Sequence, residues 1–147
     1  MLKKNILVTV VDGQGGGIGR QYIESLCKVL PKELPVTIRA LGTNSAATSN
    51  MIRGGASDGA TGENAIIHNV QRADIIVGVV AIVVADSILG ELTPNMAAAI
   101  GQSDAQRILI PFDSCNTRIA MTGEGSLQKF IDKAVQLTIQ QIVEFGV

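Results

Sequence analysis

The chain has 147 residues, of which 46% are hydrophobic, 17% charged and 3% aromatic, with a formal net charge of −1. That length fits one domain, 1–147, able to bury a core without disulfides or a structural metal. The near-neutral balance excludes a large phosphate-neutralising surface, and with it duplex nucleic acid as a partner.

Met1-Leu2-Lys3-Lys4 precedes an apolar stretch that stops at Asp12 without a small-residue cleavage site, so a secretory signal is not expected. Ile6 to Val11 is a β-branched run of the kind that forms a central parallel strand covered on both faces. It enters a loop, Asp12-Gly13-Gln14-Gly15-Gly16-Gly17-Ile18-Gly19, and then a helix predicted from about Arg20 to Leu30, with Ile23, Leu26, Cys27 and Leu30 on one stripe. Val36 to Leu41 reads as the second strand, ended by Gly42-Thr43-Asn44, and Ser45 to Arg53 as a short helix stopped by Gly54-Gly55. Ser57 to Gly62 reads as a tight loop in which Thr61 caps a helix from Gly62 to about Arg72. Asp74 to Gly78 is the third predicted strand. The run Ile75 to Ala85 is far short of the roughly 20 residues a membrane span needs. A short helix around Ile82 to Leu89 follows. Thr93-Pro94 then opens another helix to about Gln102, Arg107 to Pro111 is the fourth strand, and Ser126 to Phe145 is a long amphipathic helix.

Strands alternating with helices imply an α/β domain built from βαβ units around a parallel sheet. The expectation is a three-layer, Rossmann-like fold with about four strands in the order 2-1-3-4.

Gly13, Gly17 and Gly19 form a Gly-x-x-x-Gly-x-Gly pattern between a strand and a helix. Glycine there lets a phosphate reach backbone N–H groups, and the N-terminus of the helix favours negative charge. The alternative is a tight turn that only packs helix on strand. The loop resembles that of short-chain dehydrogenases, Thr-Gly-x-x-x-Gly-Ile-Gly, with Asp12 replacing the threonine. Their Tyr-x-x-x-Lys pair is absent, because the lone tyrosine, Tyr22, is followed four residues on by Leu26. No Gly-Lys-Ser/Thr follows, so the loop is not a P-loop. The carboxylate that holds a ribose in NAD sites is missing at the end of the second strand. Arg39 could meet the 2′-phosphate of NADP, or be an ordinary strand arginine.

Gly62-Glu63-Asn64 begins a second helix on what should be the same sheet edge. Glu63 and Asn64 could contact a ribose or base, Glu63 could serve as a general base, or its charge could simply complement the helix dipole. The segments Asp12 to Gly19 and Gly62-Glu-Asn-Ala-Ile66 together resemble the signature motifs of a bacterial family described as a domain of unknown function. Leu41-Gly-Thr-Asn44 and Ile108-Leu-Ile-Pro111 extend that resemblance over nearly the whole chain. The resemblance implies the α/β fold and the ligand loop, and no particular reaction.

Other residues carry weaker chemistry. Cys115 sits just after the fourth strand but has no recognisable base, Cys27 reads as packing, and His68 as a helix-surface or core residue. Asp12 should cap the loop N–H groups, or else hold a ribose or metal-bound water. The small apolar face Met96 to Ile100, with Ile88 and Leu89, would suit either a homo-oligomer contact or packing within the chain.

The expected site comprises Asp12, Gly13, Gln14, Gly15, Gly16, Gly17, Ile18 and Gly19, the turn Gly42, Thr43 and Asn44, and Gly62, Glu63 and Asn64, with no metal. Its expected ligand is a phosphate-bearing small molecule, NADP or another nucleotide, bound by a cytoplasmic protein that is not membrane-associated. The alternatives are a small NADP-dependent reductase or phosphate-ester transferase, and an oligomeric interaction protein with a structural glycine loop.

Overall fold

Five strands form one parallel sheet in the order β3-β2-β1-β4-β5. The computed structural model describes residues 5–113, 116–120, 123 and 125–147. Along the chain lie β1 (Ile6–Asp12), α1 (Gly17–Val29), β2 (Val36–Gly42), α2 (Ser45–Arg53), β3 (Asp58–Thr61), α3 (Glu63–Val70), β4 (Ile75–Val79), a 3-10 turn (Val80–Val83), α4 (Pro94–Gln102), β5 (Gln106–Ile110) and α5 (Leu127–Glu144).

β1 pairs with β2 over its full length and with β4 on its other side, and all but one of its residues are buried. Helices cover both faces, α1 packing against α2 and α5, and α3 against α4. Right-handed crossovers require that arrangement, since the chain steps outward from β1 to β3 and then returns across the sheet to β4. The result is a Rossmann-like α/β fold whose order reverses between β1 and β4. No helix among the described residues is long and apolar enough to cross a membrane.

The order β2-β1-β4-β5 matches the expected four strands; the fifth is an addition. Asp58–Thr61, read from sequence as part of a loop, pairs in parallel with Arg39–Gly42. A four-residue edge strand with three exposed positions buries too little to leave an apolar pattern. Thr61 is not the cap of α3. Gly62 holds that position at φ +100, while the Thr61 hydroxyl bonds the Thr48 hydroxyl at 2.7 Å. α1 begins at Gly17, three residues earlier than expected, because Gly16 turns into it at φ +70.

The helix expected from Ile82 to Leu89 is not formed. The 3-10 turn ends at Val83, and Asp86, Ile88 and Leu89 take left-handed φ of 62°, 56° and 52°, which no right-handed helix accommodates. α1 buries Gly19, Tyr22, Ile23 and Leu26, so its stripe lies one turn earlier than read and Cys27 falls on the exposed rim. The Cys27 thiol reaches the Gly55 carbonyl at 3.7 Å, and what burial it has raises its pKa. Within the α1–α5 contact the buried Tyr22 hydroxyl lies 2.6 Å from the Thr138 hydroxyl, which in turn donates to the Ala134 carbonyl at 2.9 Å. Thr93 caps α4 as expected, accepting from Met96 N–H at 3.2 Å. The small apolar face of α4 is buried within the chain: Met96, Ala97, Ala99 and Ile100 are covered, and α4 packs on α3 and the 3-10 turn.

Candidate functional site

Asp12, the last residue of β1, is buried, and its carboxylate closes the glycine loop. One oxygen accepts the Gly13 N–H and the other the Gly19 N–H, both at 2.8 Å. Burial raises the pKa of this carboxyl, the two N–H groups oppose that rise, and the charge of Glu91 adds to it. The rest of the loop is wired to α2. Asn50, itself held by the Arg20 guanidinium, donates to the Gly15 carbonyl at 2.9 Å, and Asn44 donates to the Gln14 carbonyl at 2.9 Å.

The loop glycines divide into two kinds. Gly16 is required by the fold, since its left-handed φ is joined by a backbone approach that would put a Cβ 2.6 Å from the Ala47 carbonyl oxygen. At Gly19 a Cβ would lie 2.5 Å from Met51 Sδ. At Gly15 and Gly17 a Cβ would meet nothing within 4 Å, and neither has a left-handed φ. Gly17 is exposed, and among the described residues nothing accepts from the N–H groups of Gly17 and Ile18 at the start of α1.

The turn after β2 faces this loop. Thr43 N–H donates to the Asp12 carbonyl at 3.0 Å, and Asn44 caps α2 by accepting from Ala47 N–H at 2.9 Å. Between the two loops lies a residue that no spacing or motif announced. Glu91, on the connection from β4 to α4, accepts on one oxygen from Gln14 N–H at 3.1 Å, the Thr43 hydroxyl at 2.8 Å and the Asn44 amide at 2.6 Å. Burial acts to raise its pKa, but these three hydrogen bonds outweigh it and hold the carboxyl below its ordinary value.

A cleft of about 280 Å³ opens beside the loop, outside the carboxyl ends of β1 and β4. This is the point where strand order reverses, the usual ligand crevice of open α/β sheets. Asp12, Gly13, Gln14 and Ile18 form one side, and Val79, Ala81, Ile88, Leu89 and Phe112 the other. The wall from Asp86 to Gly90 is strained, since a β-branched residue such as Ile88 at positive φ costs about 1–3 kcal/mol. It is held by the bonds Asp86 N–H to the Leu92 carbonyl and Ser87 hydroxyl to the Ala81 carbonyl. Leu89 at its tip is 92% exposed.

Gly62, Glu63 and Asn64 follow β3, on the same sheet edge but two strands from β1, and do not line the cleft. The Glu63 carboxylate accepts from the Thr93 hydroxyl at 2.6 Å and so ties the start of α3 to the start of α4. Arg39 is mid-strand, its guanidinium engaged in a two-pronged pair with Asp58 at 2.8 and 2.9 Å and bonded to Asn69 at 3.1 Å. That pair raises the pKa of Arg39 and lowers that of Asp58, and it leaves the guanidinium three residues below the sheet edge. His68 lies on the exposed face of α3 with Arg72. Cys115 falls outside the described residues. Among the described residues no group of three or more His, Cys, Asp or Glu could hold a metal ion.

No curated protein matches the chain. Among solved structures it is similar to the crystal structure of PbgP3 protein from Burkholderia pseudomallei, at 12% identity and a TM-score of 0.45. The match covers 97% of this chain and 55% of that one, so the chain spans about half the length of this neighbour. A family model matches residues 7–143, nearly the whole chain, and the protein belongs to the family described as "Domain of unknown function (DUF3842)".

Proposed function

We propose that this protein binds a phosphate-bearing small molecule, a nucleotide foremost, at the glycine loop and the cleft beside it. The observation that carries the reading is the pair Gly15 and Gly17. Neither position needs glycine for its backbone or its packing, so the missing side chains are best accounted for by a ligand that approaches the backbone closely. The N–H groups of Gly17 and Ile18 at the positive end of α1 offer donors to a phosphate. The apolar side of the cleft, Val79, Ile88, Leu89 and Phe112, offers a surface for a base or ring. The role that fits is a cytoplasmic binding or sensing module. Arg39, already paired with Asp58, gives no reason to prefer NADP over other nucleotides.

A thermal-shift screen against NAD, NADP, adenine and guanine nucleotides and sugar phosphates tests the reading. A ligand at 100 times its Kd adds about 2.7 kcal/mol, and at this size each kcal/mol raises Tm by roughly 2–4 °C. The expected result is a selective rise that disappears in Gly17→Val, a position where an added Cβ meets nothing within 4 Å, with folding of the variant checked by circular dichroism. No rise with any compound, or an equal rise in Gly17→Val, would overturn it.

A further inference from the structure

Three donors converging on a single oxygen, drawn from loops at the ends of two adjacent strands, form a binding site for an anionic oxygen. Here that oxygen belongs to Glu91, and the donors are Gln14 N–H, the Thr43 hydroxyl and the Asn44 amide. Glu91 does not come from a neighbouring segment. The β4–α4 connection starts on the far side of β1, crosses the reversal point of the sheet, and delivers the carboxylate to the end of β2. On the way Ile88 seats against Gly13, where a Cβ on the glycine would lie 3.0 Å from Ile88 Cγ2. The crossing is made by a backbone in the left-handed region at Asp86, Ile88, Leu89 and Gly90, and it exposes a large apolar side chain, Leu89, almost completely. A connection with no task beyond joining β4 to α4 would need neither the strain nor the exposed leucine.

We infer that residues 88–91 are a displaceable strap whose Glu91 carboxylate occupies the site of a ligand's phosphate or carboxylate group, so that binding there requires Glu91 to withdraw. The inference rests on the reading that the glycine loop is a ligand site, and it adds that the closed form of the chain is self-occupied. Apparent affinity is then reduced by the fraction of molecules in the closed form. Removing the carboxylate frees three donors and takes away the negative charge that would repel an anionic ligand.

The test is isothermal titration of ADP and of inorganic pyrophosphate into the wild type, Glu91→Ala, and Glu91→Ala combined with Thr43→Val, with folding of each checked by circular dichroism. Glu91→Ala should bind one or both probes at least about tenfold more tightly than the wild type. Thr43→Val should remove much of that gain, and the Gln14 amide resonance should move when the probe is added to Glu91→Ala. Equal or weaker binding by Glu91→Ala, with binding by the wild type intact, overturns the strap and leaves the ligand site standing. No binding by any variant overturns both.

Discussion

Asp12 is a buried carboxylate whose two oxygens each satisfy a backbone N–H at opposite ends of one loop. Asp12→Ala strands both donors, and a buried unsatisfied donor costs about 1–3 kcal/mol. Urea denaturation should show a loss of at least that size, and a smaller loss in Asp12→Asn, which keeps one acceptor. Glu91 makes a prediction of a different kind. Its pKa is lower in the folded state than in the unfolded chain, so the unfolded chain takes up the proton first as pH falls. Its contribution is therefore present above the ordinary glutamate range, about 4.3, and is lost as pH drops below it. Tm measured from pH 6 downward should fall less steeply in Glu91→Gln than in the wild type. An identical acid limb would show that the three hydrogen bonds to Glu91 carry no linkage. The sequence made Asp12 legible as a loop cap because it ends an apolar strand. It could not reveal Glu91, which lies 77 residues from Gln14 and meets it only through the sheet's order reversal.

At the scale of elements, the turn between β2 and α2 holds the two loops in register. Gly42 allows that approach: a Cβ there would sit 2.6 Å from Thr48 N and 2.7 Å from the Asn44 carbonyl oxygen, both backbone atoms that cannot swing aside. Gly42→Ala should therefore cost at least the roughly 1–3 kcal/mol of an overpacked site, whereas Gly15→Ala should leave the denaturation midpoint nearly unchanged. Equal losses in the two would mean the open space at Gly15 is not available to a side chain. The elements missed from sequence share a cause. Asp58–Thr61 and Val80–Gly90 take their form from neighbours rather than from their own periodicity, the first by pairing with β2, the second by reaching across the carboxyl edge. α2 was legible to its ends because it runs between two local breaks, the turn Gly42-Thr43-Asn44 and the pair Gly54-Gly55; that Asn44 also caps it emerges only from the structure.

For the molecule as a whole, hydrophobic runs sufficed to place β1, β2, β4 and β5: β1 and β4 are buried on both faces and announce themselves by composition, and β2 and β5 keep enough buried apolar residues to do the same. Their order followed from handedness and from the need to put the most apolar strands at the centre. The short polar edge strand β3 and the side-chain wiring between distant loops leave no such mark, so the frame was readable where the contacts across the carboxyl edge were not. One buried side chain gives this frame a built-in optical probe. The chain has no tryptophan and a single tyrosine, and Tyr22 is sealed between α1 and α5 with its hydroxyl on Thr138. All intrinsic tyrosine emission therefore comes from one joint between two helices. Burial pushes the phenol well above its ordinary pKa, so tyrosinate absorbance that appears near the ordinary tyrosine range, about 10, in an alkaline titration reports exposure of Tyr22.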